Sequence, residues 1–226
     1  MAALTLVSTS TLFLTPPGVY APQWDTELLT RALCREGVDS STDVLDLGTG
    51  SGAVAVQAAR LGARVTAVDI SWLSVFTTRV NALLARRRVR VRHGDLTTAV
   101  AGRRYDLVIS NPPYVPSPAD RIPGGGPSRA WEAGRDGRVF VDRLCVAAPG
   151  MLRPGGALLV VHSALCGTDT TLRNLEDGGL RASVVDRAEV PYGPVLRARR
   201  PWLVRQGLIG EGDDQEELVV IRAERP

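Results

Sequence analysis

Apolar residues recur along this chain in two rhythms: short dense runs, and longer stretches in which they return every three or four positions. Residues 43–47, 64–68, 105–110 and 157–162 are dense runs of the buried-strand type. The last is almost wholly apolar, as a strand covered on both faces should be. Residues 180–190 and 217–222 add two more strands, and 89–92 alternates valine with arginine. In that alternation Val89 and Val91 turn toward the sheet while the arginines decorate an edge and discourage pairing with other chains. A docking patch for nucleic acid is the other reading of the same arginine run, 86–92.

Helical spacing appears between the strands. Leu28, Leu29, Ala32 and Leu33 define one helix, with Asp25 or Thr26 as its cap and Gly37 at its end. Residues 53–60 form a second, and 71–85 a third with Leu73, Phe76, Val80 and Leu83 or Leu84 along one side. Further helices are expected up to about 148, near 168–176, and over 195–206 despite Pro201. Strands alternating with helices predict an α/β fold around a largely parallel sheet. Residues 152–156 read as a turn, and 115–130 as a Pro/Gly/Ser-rich loop with Gly124, Gly125 and Gly126 at its centre. That loop is longer than a plain connection needs, so it reads as either a substrate lid or a linker.

With 226 residues the chain is of single-domain size. The formal charge of +3, from 27 basic and 24 acidic residues, is too small to argue for nucleic acid by itself. The cysteines, Cys34, Cys145 and Cys166, follow no disulfide or zinc spacing, and His93 and His162 fall at strand ends where structural roles are expected. No metal is assigned. Residues 1–14 lack the basic start and apolar core of a signal peptide, so a cytoplasmic setting is the default expectation.

Four punctuation points fall at the carboxyl ends of the predicted strands, where open α/β sheets bind ligands. Gly48-Thr49-Gly50-Ser51-Gly52 joins the first strand to its helix, a layout that brings backbone close to a ligand and exposes helix N-terminal amides. Asp69 ends the second strand, placed to accept ribose hydroxyls. Asp95, followed by Leu96, ends the third and can accept an adenine amino group. Asn111-Pro112-Pro113-Tyr114 ends the fourth; its prolines hold the backbone still beside an amide and a ring, a device for gripping a planar nitrogen. Gly48, Gly50 and Ala53 alone also satisfy a dinucleotide fingerprint, which leaves a nicotinamide oxidoreductase open. Gly52 and the acid at Asp46 favour S-adenosylmethionine instead, whose methionine ammonium an acid beside the turn would help hold.

Together these motifs resemble the class I S-adenosylmethionine-dependent methyltransferases, and within them the HemK-like glutamine methyltransferases of peptide-chain release factors. Gly18-Val19-Tyr20-Ala21-Pro22 with Asp25-Thr26, and residues 130–138, resemble that family's shorter eukaryotic and archaeal branch. The resemblance implies a Rossmann-like seven-stranded sheet, mostly parallel with one antiparallel strand near the C-terminus and helices on both faces. It implies one methyltransferase domain over 1–226, with residues 1–37 covering the cofactor and 115–130 meeting the substrate. It implies cofactor contacts from Tyr20, Thr26, Asp46, Gly48, Gly50, Gly52, Asp69, Asp95, Leu96 and Asn111, and catalysis by Asn111, Pro112 and Tyr114. It also implies a release-factor-like protein substrate and a small activator subunit. An exocyclic amine of adenine in nucleic acid, a small metabolite, and a non-catalytic cofactor-binding role stand as alternatives.

Overall fold

The computed structural model describes residues 3–7, 11–119 and 127–226. Seven strands form the main sheet: β3 (Asp43–Leu47), β4 (Arg64–Asp69), β5 (Val89–His93), β6 (Tyr105–Ser110), β7 (Leu152–Ser163), β8 (Arg181–Pro191) and β9 (Gln215–Glu224). Their order is β5-β4-β3-β6-β7-β9-β8, and β9 alone runs against both of its neighbours. The strand order reverses between β3 and β6, which pair in parallel from Val44↔Leu107 to Leu47↔Ser110. Their carboxyl ends therefore flank a crevice at the topological switch point.

Among the described residues six α-helices accompany this sheet: α1 (Trp24–Leu33), α2 (Ala53–Arg60), α3 (Trp72–Leu84), α4 (Val139–Met151), α5 (Thr168–Asp177) and α6 (Pro194–Arg205). On one face α1 packs over β7, β8 and β9, α2 over β3, β4 and β5, and α3 over β4 and β5, while α4 and α5 pack together over β6, β7, β8 and β9. Every residue of the central run 157–163 in β7 is buried, so both faces of this strand are covered. The arginine-valine strand is β5, at the sheet edge as expected, with Val91 buried and Arg90 and Arg92 exposed.

The structure departs from the sequence reading in four places. The N-terminal stretch forms a hairpin, β1 (Ala3–Val7) against β2 (Thr11–Thr15), which the polar Thr and Ser positions had disguised. The cap of α1 is Gln23 rather than Asp25 or Thr26. Residues 152–156 belong to β7, through an irregularity in its pairing with β6, rather than to a free turn. On α3 the large apolar residues face outward: Leu73, Phe76, Leu83 and Leu84 are 42%, 63%, 77% and 65% exposed. Its buried side carries Ser74, Val75, Thr78, Asn81 and Ala82 instead.

Polar contacts explain that reversal. Asn81 donates to the Leu14 carbonyl at 2.9 Å and the Ser51 carbonyl at 2.8 Å, and accepts from the Leu14 amide at 2.8 Å. One amide side chain thus ties β2, the glycine turn and α3 together. Phe13 from β2 packs with Ala53, Val56 and Ala82 beside it. The glycines at 124–126 lie outside the described residues.

Candidate functional site

A cleft of about 790 Å³ opens along the carboxyl ends of β3, β4, β5 and β6. That volume suits a cofactor together with an acceptor side chain. Gly48, Gly50 and Gly52 adopt φ of +73°, +56° and +82°, left-handed values that side chains other than glycine rarely reach. The Gly48 and Thr49 amides donate back to the Val68 carbonyl, and the Gly50 amide donates to Asp69 Oδ2 at 2.9 Å. The Ser71 amide takes the other Asp69 oxygen at 2.8 Å. Asp69 is therefore held before any ligand arrives, although burial still raises its pKa. Thr78 hydrogen-bonds the Gly50 carbonyl at 3.0 Å, and a Cβ on Gly52 would fall 2.7 Å from the Thr78 methyl.

Asp46 lies buried beneath this turn, where the Thr49 hydroxyl donates to it at 2.7 Å. Burial pushes its carboxyl up to about 7, with the Thr49 hydrogen bond opposing and the Asp69 charge adding. Such a carboxyl gains from a cationic partner. At the β5 end of the cleft stand Ile70, Gly94, Asp95 and Leu96. Leu96 has φ +45°, an uncommon value that turns the chain around the cleft wall. Asp95 pairs with Arg143 through one oxygen at 2.8 Å. His93 is stacked on Trp72 at 4.0 Å and bonded to the Ile70 carbonyl, a structural role.

At the acceptor end, β6 delivers Asn111, Pro112 and Tyr114 to the cleft wall. The Ser110 hydroxyl donates to the Leu47 carbonyl at 2.9 Å and holds the strand ends in register. The Tyr114 hydroxyl donates to Asp25 Oδ2 at 2.9 Å, and the Tyr20 hydroxyl donates to the same oxygen at 2.7 Å. The Thr26 amide and hydroxyl occupy the other oxygen of Asp25. One buried carboxylate thus joins the loop before α1 to the residue that closes the Asn-Pro-Pro-Tyr motif. From behind, the Cys166 thiol contacts the Tyr114 carbonyl at 3.0 Å, and Gly137 packs so closely that a Cβ would meet that oxygen at 2.3 Å.

The loop that follows is tied at its base. Val115 and Glu132 form a parallel bridge, and the Val115 amide donates to the Trp131 carbonyl at 2.8 Å. Arg199 of α6 donates to the Pro116 carbonyl and pairs with Glu132.

The structure brings Tyr20, Thr26, Asp46, Gly48, Gly50, Asp69, Asp95, Leu96, Asn111, Pro112 and Tyr114 to one cleft wall. Gly52 is not on that wall; it caps α2 and lets α3 approach. Sequence reasoning missed the part of Asp25, taken for a helix cap, and of Glu216, which lines the cleft from β9. The signal for Glu216 is phase, since it shares a strand face with Leu218 and Val220, both buried. Among the described residues no cluster of His, Cys, Asp and Glu could hold a metal ion.

Comparison with known proteins agrees with this geometry. Residues 10–121 match the family model described as "Methyltransferase small domain". A protein of Methanocaldococcus jannaschii, provisionally described as a protein N5-glutamine methyltransferase, is 32% identical over 80% of this chain and 90% of its own length. The release factor glutamine methyltransferase of Bordetella pertussis is 41% identical over 65% of this chain but only 57% of its own length. The chain thus spans little more than half of that bacterial relative. Among solved structures, the E. cuniculi Mtq2-Trm112 complex, responsible for methylating the termination factor eRF1, superposes with a TM-score of 0.65 at 23% identity. That match covers 92% of this chain and 99% of the other, and at such identity it supports the fold. With a Rossmann-like sheet and a relative matched over nearly its whole length, the chain belongs to the protein N5-glutamine methyltransferase family of S-adenosylmethionine-dependent enzymes.

Proposed function

We propose that this enzyme methylates the side-chain amide nitrogen of a glutamine in a peptide-chain release factor. The observation that carries the reading is the meeting of Asn111-Pro112-Pro113-Tyr114 with the glycine turn in one cleft, braced by Asp25 through Tyr20 and Tyr114. When bound, S-adenosylmethionine supplies an electrophilic methyl group on a sulfonium sulfur. Asp69 would accept from the ribose, Asp46 would face the ammonium, Asp95 and Leu96 would take the adenine, and Tyr20 and Thr26 would cover the methionine end. A neutral amide nitrogen is a poor nucleophile, so orientation dominates the rate. The Asn111 side-chain oxygen and the Pro112 carbonyl accept the two amide hydrogens while Tyr114 packs on the amide plane. Those acceptor dipoles favour the positive charge that develops on nitrogen.

The 115–130 loop, anchored by Arg199 and Glu132, selects which acceptor reaches the clamp. A small activator subunit fits the exposed apolar side of α3, where Trp72, Leu73, Phe76, Leu83 and Leu84 lie beside the edge strand β5. A translation-factor substrate places the enzyme in the cytoplasm; no helix among the described residues is long and apolar enough to cross a membrane. The test is radiolabelled methyl transfer to release factor, nucleic acid and metabolite pools, followed by mapping of the labelled atom. Label on a glutamine amide is expected, and label confined to adenine or a metabolite would replace the reading. Asn111→Ala should lower turnover roughly 100-fold or more while leaving cofactor affinity largely intact.

A further inference from the structure

The acids of the cleft wall differ in one respect. Asp25, Asp46, Asp69 and Asp95 each have a donor or cationic partner in the structure. Glu216 is 9% exposed and lines the same cleft; the Ser163 hydroxyl reaches its carboxyl, yet its Oε2 is buried with no hydrogen-bond partner. A carboxylate oxygen stripped of water without a donor is costly, and such a group is kept where a ligand supplies the donor. The register pairs Glu216 with Val190, and both line the cleft. Its charge is felt at Tyr114, which closes the Asn-Pro-Pro-Tyr motif, and at Tyr20 and Tyr192, all three on the cleft wall.

We infer that Glu216 is the proton acceptor of the methyl transfer: once the methyl group is on nitrogen, it takes one of the two protons that Asn111 and Pro112 have held. This rests on the methyl-acceptor reading above. Transfer forms the N–CH3 bond and breaks the S–CH3 bond, with the electron pair of the broken bond remaining on sulfur. The nitrogen is left with one proton too many. That proton passes to Glu216, giving a neutral N-methyl amide and a neutral carboxylic acid, which returns the proton to water after product leaves.

The surroundings suit the task. Burial pushes the Glu216 carboxyl up to about 7, with the Ser163 hydroxyl pulling it down and the Asp25 charge pushing it further up. The Ser163 hydroxyl at the end of β7 bonds it, and its charge acts with or on Asp25 from α1, Tyr20 before that helix, Tyr114 after β6, Cys166 after β7 and Tyr192 after β8. None of these is a cation, so the carboxylate is not neutralised by a fixed partner. A base that titrates near neutrality is the most effective kind at neutral pH.

The experiment compares wild type, Glu216→Gln and Glu216→Asp in the full chain, measuring cofactor affinity by calorimetry and kcat and KM across pH. Glu216→Gln keeps shape and removes a buried charge, so its fold is expected to survive, as circular dichroism will report. The expected result is unchanged cofactor affinity, kcat lower by roughly 100-fold or more, and loss of the rise in kcat with pH centred near 7. Glu216→Asp should keep that rise at reduced kcat. A Glu216→Gln enzyme with kcat within about threefold of wild type, or with the same pH rise, overturns the inference. If wild type labels a nucleobase or metabolite amine rather than glutamine, the glutamine reading fails separately. The same comparison then runs on that acceptor, whose nitrogen must also shed a proton.

Discussion

Gly137→Ala tests how the fold holds Tyr114 in place. Gly137 has φ +73°, and a Cβ there would lie 2.3 Å from the Tyr114 carbonyl oxygen and 2.8 Å from Cys166 Sγ. Carbon and carbonyl oxygen ordinarily approach to about 3.3 Å, so about 1 Å of overlap must be absorbed. Backbone has to absorb most of it, because the Tyr114 oxygen is not the end of a flexible side chain. The left-handed backbone costs alanine about 1 kcal/mol. Overpacking adds about 1–3 kcal/mol. For a chain of this size each kcal/mol lowers Tm by roughly 2–4 °C, so Tm should fall by roughly 5–15 °C.

A displacement of about 1 Å at the clamp should also cost roughly 100-fold in turnover. Gly102→Ala is the control: its φ is +74°, with nothing within 4 Å of the added Cβ, so it carries the backbone strain without the clash. It should lose about 1 kcal/mol and keep full turnover. Thermal melts by circular dichroism, kcat at saturating cofactor and calorimetric cofactor affinity separate the terms. If Gly137→Ala matches Gly102→Ala in both Tm and turnover, Gly137 does not serve as the backing of Tyr114.

The raised carboxyl of Asp46, at about 7, makes stability without ligand fall as pH climbs from the ordinary aspartate range to 7, because the folded state binds more protons there. Asp46→Asn should therefore melt higher than wild type at pH above 7 yet bind cofactor more weakly. Calorimetry in buffers of differing ionisation enthalpy should show wild type releasing protons on cofactor binding below pH 7, and Asp46→Asn releasing fewer. Arg199→Ala removes the tie between α6, the Pro116 carbonyl and Glu132, so KM for the protein acceptor should rise roughly tenfold with cofactor affinity unchanged. Phe76→Glu, at a position 63% exposed on α3, should leave Tm nearly unchanged and abolish co-purification with an activator subunit; a strongly lowered Tm would instead make that face part of the core.

The chain alone determined whatever depends on neighbours in sequence. Dense apolar runs separated by helical repeats marked the seven strands of the sheet, and Gly48, Gly50, Asp69, Asp95 and Asn111 were readable because each stands where a strand must end. Strand order and the reversal between β3 and β6 were not legible from periodicity, since pairing joins residues far apart; the family resemblance implied the sheet and its one antiparallel strand.

Tertiary structure decided the rest by choosing partners. On α3 the periodicity is real but its apolar side faces outward, because Asn81 and Thr78 bond the glycine turn and β2, and those polar contacts require the small-residue side to face inward. Asp25 reads locally as a helix cap, yet its oxygens hold Tyr20 and Tyr114, the latter 89 positions away. Glu216 reads as one acid in an acidic stretch, and only the pairing of β9 with β8 carries it into the cleft. Short-range pattern sets the secondary structure; which side chain meets which, and therefore where charge is buried, is set by packing between distant segments.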